Sequence, residues 1–130
     1  MPASDRVLVD SSAWIDYFAG VDRVVEVLDR PISDDRVVVC GTVMQEVLQG
    51  ARDEKMLARL DHGLSTWPSE PETPADFVEA GRMYARLRWK GITVPPPDCL
   101  IAAVARRCGY LVCATDPHFE KIPGLQRFSI

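Results

Sequence analysis

Apolar positions along the chain alternate between two rhythms. Val7, Leu8 and Val9 form an unbroken run that ends on Asp10. A run with no polar alternation reads as a strand buried on both faces, the mark of a parallel sheet. Ser11 and Ser12 follow, then Trp14, Ile15 and Phe18 at i, i+1 and i+4. That spacing predicts a helix with a serine available as its cap, closed by Gly20. Val24, Val25 and Leu28 keep helical spacing until Pro31 stops them. Val37, Val38, Val39 and Cys40 make a second buried run within a strand over 36–41. Thr42 then caps a helix containing Val43, Met44, Glu46, Val47 and Leu48.

The second half repeats the alternation. Met56, Leu57 and Leu60 share one face of a helix over 53–64, and 64–67 reads as a short third strand. Residues 68–74 hold three prolines and two glutamates and form a loop. A helix over 75–90 follows, with Phe77, Ala80, Tyr84 and Leu87 on its apolar face. Val94, Pro95, Pro96 and Pro97 are extended, because proline excludes the helical region for the residue before it. Asp98 opens the next helix, whose core stripe is Ile101, Val104, Ala105 and Cys108, and Gly109 closes it. Residues 110–114 form a strand leading into Thr115 and Asp116, and 128–130 read as a last edge strand. There is no internal repeat. Apolar strands alternating with helices indicate an α/β fold with a parallel sheet of about four or five strands flanked by helices. Residues 1–130 are expected to form one domain, at 130 residues long enough to bury a core without disulfides or metals.

Composition narrows the class of molecule. The chain is 47% apolar and 26% charged, as in an ordinary globular protein. No apolar run approaches the roughly 20 residues of a membrane span. The start, Met-Pro-Ala-Ser-Asp-Arg, lacks the basic and apolar regions of a signal peptide, so a cytoplasmic address is expected. Cys40, Cys99, Cys108 and Cys113 form no C-x-x-C pair and have no zinc-like spacing to His62 or His118. They read as free thiols, buried in the case of Cys40 and Cys113. The net charge of −4 argues against nucleic-acid binding by bulk charge but not against a local basic face.

The candidate chemistry lies in four carboxylates. In open parallel sheets, ligands collect outside the carboxyl ends of the strands. Asp10 and Asp116 follow apolar strand runs directly, Glu46 lies in the helix after the second run, and Asp98 begins a helix behind three prolines. Each acid alone has an ordinary role: Asp98 as a helix cap, Asp116-Pro117 as a turn, Glu46 as a helix residue. Capping does not require all four to fall at one edge. Carboxylates about 4 Å apart at an effective dielectric near 20 repel by roughly 4 kcal/mol per pair. Such a cluster calls for a cation, and all-oxygen donors select Mg²⁺ or Mn²⁺. His118 reads as a structural or surface residue, since metal-assisted hydrolysis needs no histidine base.

Four motifs carry a family resemblance. Val7-Leu8-Val9-Asp10-Ser11-Ser12-Ala13-Trp14-Ile15-Asp16-Tyr17-Phe18 resembles the opening motif of VapC toxins, the PIN-domain ribonucleases of toxin–antitoxin pairs. Thr42-Val43-Met44-Gln45-Glu46-Val47-Leu48-Gln49-Gly50 is similar to their second motif, Pro97-Asp98-Cys99-Leu100-Ile101-Ala102-Ala103 to their third, and Thr115-Asp116-Pro117-His118-Phe119 to their fourth. The resemblance spans nearly the whole chain in the right order. It implies a PIN fold, a Mg²⁺- or Mn²⁺-dependent endoribonuclease, a homodimer and a cognate antitoxin that blocks the site. It makes Asp10, Glu46, Asp98 and Asp116 the metal ligands or water-positioning acids, with Ser11 or Thr115 adding a hydroxyl. One departure stands out: Pro97 occupies the place where the family has a small hydroxyl residue.

RNA needs positive charge beside so acidic a site. Arg82, Arg86, Arg88 and Lys90, interleaved with Tyr84 and Trp89, offer phosphate forks and stacking rings; a solvated helix face or a dimer contact accounts for them equally well. Arg106 and Arg107 suit a helix C-terminus. Trp14, Tyr17 and Phe18 read mainly as core, with some of them available to a groove for an antitoxin helix. A receiver-like phosphoacceptor domain also gathers acids at strand ends, but it would want a paired acid at the first strand, where this chain has Asp10-Ser11-Ser12. A non-catalytic RNA- or protein-binding module would not require all four acids.

Overall fold

The central strand β1 (Val7–Val9) is fully buried, as its unbroken apolar run requires. It pairs in parallel with β2 (Val37–Val38) on one side and β3 (Leu111–Cys113) on the other, giving the order β2-β1-β3. The register sets Val7 beside both Val37 and Leu111, and Val9 beside Cys113. These observations come from a computed structural model whose described residues are 5–130; residues 1–4, where the segment read as lacking a leader begins, lie outside them.

Among the described residues three regular strands stand where four or five were expected. An isolated parallel bridge extends each edge, Val39 to Ser69 and Val112 to Arg127. Ser69 lies between Pro68 and Pro71, which have no N–H to continue a ladder. At the other edge the pairing stops after Val112 N–H donates to Gln126 O and Phe128 N–H donates to Val112 O. The stretch 64–67 is not a strand, because Leu64 and Ser65 complete a helix and Thr66 caps it.

Among the described residues six helices flank the sheet. They are α1 (Ser11–Phe18), α2 (Asp22–Ser33), α3 (Gly41–Leu48), α4 (Glu54–Ser65), α5 (Pro74–Trp89) and α6 (Pro96–Cys108). Pro31 does not stop α2. It lies inside the last turn, buried, so that packing offsets the lost hydrogen bond. Thr42 is not the cap of α3, which begins at Gly41 after Cys40. Its N-terminal donors are met from a distance: Glu72 accepts from the N–H of Gly41 at 3.0 Å and of Thr42 at 2.7 Å. A Cβ at Gly41 would come within 3.1 Å of that carboxylate, so a larger residue there would push the Glu72 side chain aside. Thr73 and Asp76 form a reciprocal capping box at the start of α5.

α6 begins at Pro96, two residues before Asp98, with Pro95 as N-cap. Prolines fit the first turn because their missing N–H groups would have no helical partner there. Asp98 is thus the third helical residue, not the first. Gly109, at φ 73°, ends α6 in the left-handed conformation. Arg107 near the end of α6 donates from Nε to Asp76 Oδ1 in the first turn of α5 at 2.8 Å. The two helices therefore run antiparallel, and the C-terminal end of α5 lies beside the acid-bearing end of α6. Trp14, Leu28, Val43, Ile101 and Phe119 join the strands in one core. All four cysteines are free, and Cys40, Cys99 and Cys113 are buried. Among the described residues no helix is long and apolar enough to cross a membrane.

Candidate metal centre

Asp10 leaves β1 and serves as N-cap of α1, the place assigned above to a serine. Its Oδ2 accepts from Ser12 N–H at 3.1 Å and from Ser12 Oγ at 2.7 Å. The Ser12 hydroxyl has spent its hydrogen on Asp10, so its lone pairs accept from the N–H of Thr115 at 3.1 Å and of Asp116 at 3.3 Å. One hydroxyl thereby ties the end of β1 to the loop after β3. Asp10 is 2% exposed, and its Oδ1 is buried without a protein partner.

Asp116 caps a short 3₁₀ turn, Pro117–Lys121, by accepting from His118 N–H at 2.9 Å. The turn folds the His118 ring back over the acids. Its Nδ1 lies 2.8 Å from Asp116 Oδ1 and 2.9 Å from Asp98 Oδ2. Asp98, Asp116 and His118 place one ligand atom each within 4.8 Å of the others. Glu46 comes from α3, where its Oε1 accepts from Ser11 Oγ at 3.2 Å.

All four predicted acids thus come to the same edge of the sheet, in two linked groups. Asp98 and Asp116 meet at His118; Asp10 and Glu46 are held by Ser12 and Ser11. Electrostatics couples the groups. Burial, then the charge of Asp10, pushes the Asp98 carboxyl up to about 6, against the pull of its His118 hydrogen bond. Burial and then Asp10 raise Glu46 as well. Asp10 itself is raised by burial in spite of its serine hydrogen bonds. Carboxylates that resist ionisation together, beside a buried oxygen with no donor, fit a divalent cation. Asp98, Asp116 and His118 bring ligand atoms within 4.8 Å of one another, and the charge of Asp10 acts on both Asp98 and Glu46.

Two residues of this site were undervalued in the sequence. Ser12, not Ser11, carries the Asp10 contact, and Thr115 joins through its backbone N–H. The signal was the spacing Asp-x-Ser, which lets a side chain answer a carboxylate two residues back. His118, read as structural or surface, touches both late acids; only the fold of the 3₁₀ turn reveals it.

Two grooves lie elsewhere on the helices. One, of about 500 Å³, runs between α5 and α6 and is lined by Thr42, Phe77, Ala80, Tyr84, Pro97 and Leu100. Arg82, Arg86, Arg88 and Lys90 are exposed on α5 and the residue after it, with the Arg88 guanidinium 5.7 Å from the Tyr84 ring. The other, of about 560 Å³, has Ile15, Phe18, Val47 and Met56 in its lining, together with Arg52, Lys55 and Arg59. Trp14 is core, stacked on Trp67 at 4.2 Å, and Tyr17 packs edge-on against it.

The PIN domain family profile matches residues 7–125. The chain belongs to the PIN-domain family. Its VapC branch is shown by relatives. VapC ribonuclease Mb1587 of Mycobacterium bovis and Ribonuclease VapC11 of Mycobacterium tuberculosis are each 33% identical to it over 121 residues, 89% of this chain and 90% of theirs. Among solved structures, DNA-bound VapBC from Salmonella typhimurium superposes with a TM-score of 0.83 at 23% identity, covering 96% of this chain and 98% of that one. This PIN fold is an α/β sandwich with its acids at the carboxyl end of the parallel strands, as the alternating pattern predicts.

Proposed function

We propose that the chain is a Mg²⁺- or Mn²⁺-dependent endoribonuclease, the toxin of a type II toxin–antitoxin pair. The observation that carries this reading is the convergence of Asp10, Glu46, Asp98 and Asp116, with Asp10 Oδ1 buried and unpartnered beside them. A divalent cation bound there supplies Lewis acidity toward water and a phosphodiester.

The chain's own groups do the rest. Asp10, Asp98 and Asp116 hold the charge that keeps the cation at the strand ends. Ser12 fixes Asp10 Oδ2 so that Oδ1 stays free. Glu46, raised by burial and by Asp10, is suited to take a proton from the attacking water while Ser11 holds its Oε1. The Arg82, Arg86, Arg88 and Lys90 row grips RNA phosphates, and Tyr84 offers a face for an unpaired base. The 560 Å³ groove, apolar with cations along it, receives the cognate antitoxin. A homodimer in the cytoplasm completes the reading.

Cleavage of a panel of structured RNAs tests it. Activity is expected with Mg²⁺ or Mn²⁺, none with EDTA, and a loss of at least about 100-fold in Asp98→Asn. Undiminished cleavage in EDTA would remove the metal mechanism, and no cleavage of any RNA with either ion would leave a binding module.

A further inference from the structure

The donor set at the strand ends is not all oxygen. His118 Nδ1 stands 2.9 Å from Asp98 Oδ2 and 2.8 Å from Asp116 Oδ1, two carboxylate oxygens of different chain segments. Donors placed cis around an octahedral ion with bonds of roughly 2.1 Å are about 3 Å apart. His118 Nδ1 already stands at that spacing from each carboxylate, and the three ligand atoms all lie within 4.8 Å of one another, close enough to share one ion. Without an ion, a hydrogen on Nδ1 shared between the carboxylates holds this arrangement. With the ring hydrogen on Nε2, the Nδ1 lone pair points to the same place.

A second observation points to a ligand there. Asp10 is 2% exposed and its Oδ1 has no protein partner, while its charge is felt by Asp98. The backbone of the Asp116–His118 turn is fixed by the His118 N–H to Asp116 Oδ1 bond, so the ring does not need to be recruited from elsewhere. Imidazole favours first-row transition ions, whereas Mg²⁺ prefers oxygen alone.

We propose that His118 Nδ1 is a direct ligand of the cation, with Asp98 and Asp116, and that the site therefore takes Mn²⁺ in preference to Mg²⁺. This rests on the cation site proposed above and adds to it a nitrogen donor and a choice of metal.

Pulsed electron paramagnetic resonance of Mn²⁺ bound to the full chain, in a nitrogen-free buffer, reads the ligand directly. A ¹⁴N coupling of imidazole size is expected in the parent. It persists in His62→Ala, the variant of the chain's other histidine, and disappears in His118→Ala while Mn²⁺ remains bound. Calorimetry should show the ratio of Mn²⁺ to Mg²⁺ affinity falling at least about tenfold in His118→Ala, since even the outer partners of a metal site are worth that much. Bound Mn²⁺ without nitrogen coupling, or an unchanged ratio, would overturn the proposal and leave His118 as a hydrogen-bond partner of the acids. No Mn²⁺ binding at all would take down the cation site as well.

Discussion

Ser12 Oγ donates to Asp10 Oδ2 and accepts from two backbone N–H groups of the Asp116 loop. Removing it takes the shorter of two donors from a buried carboxylate oxygen, leaving the Ser12 N–H, and loosens the link between β1 and β3. Ser12→Ala is expected to cost about 2 kcal/mol, the size of a lost hydrogen bond to a charged group, with Ser12→Thr recovering most of it. Urea unfolding measures both. Asp98 adds a pH dependence of definite sign. Its carboxyl is raised in the folded chain to about 6 from an ordinary 3.8, so the folded state holds the proton more tightly. That contribution to stability is complete below about pH 4 and is lost as the pH rises through 6. In EDTA, Asp98→Asn should therefore gain in melting temperature over the parent as pH rises from 4 to above 6; a gap independent of pH would refute the shift. At this scale the sequence pointed to one edge for the four acids, because Asp10 and Asp116 follow apolar runs, Asp98 follows a proline stop and Glu46 lies in the helix after the second run. It did not identify the partners of the acids. Ser12 and His118 act through directions set by a cap and a 3₁₀ turn, which apolar spacing does not encode.

Helix α6 presents Asp98 at one end and is anchored at the other. Arg107 bonds both oxygens of Asp76, at 2.8 and 3.1 Å, and reaches Glu70 at 3.6 Å. Burial would raise the Asp76 carboxyl, but the hydrogen bonds from Arg107 and Thr73 outweigh it and hold it below its usual value. Because Asp76 is buried and Arg107 about one-third exposed, Arg107→Gln should destabilise by about 1–3 kcal/mol, the cost of leaving a buried acceptor short of its charged donor. Thermal unfolding at neutral pH would show it, and a change under a few tenths would mean the pair is dispensable. The long periodic elements were legible: α6 follows from its apolar stripe and Gly109, and α5 forms as its spacing predicts, although its buried apolar face is Ala80, Met83 and Leu87 while Phe77 is 58% exposed. The short ones were not. Residues 64–67 have the apolar content of a strand but lie in the last turn of α4 and its cap, and 128–130 touch the sheet only beside Arg127. Pro31 misled as a stop because nothing local reveals that its ring is buried.

Across the whole molecule, a chain of net charge −4 concentrates negative charge at one edge of its sheet and exposes a cationic row along α5. The antiparallel packing of α5 on α6 puts the C-terminal end of α5 and the N-terminal end of α6, where Asp98 lies, at the same end of the helix pair. The three-stranded sheet suffices because only the ends of β1 and β3 carry acids, and Ser12 joins those two ends. The account stands on these acids acting together on one cation. Calorimetric titration of Mn²⁺ into the metal-free chain tests this most directly. The parent should show a binding event that Asp10→Asn, Asp98→Asn and Asp116→Asn each weaken at least tenfold while remaining folded, as expected when one ligand of a shared ion is removed. No binding in the parent, or equal binding in the three variants, would contradict it.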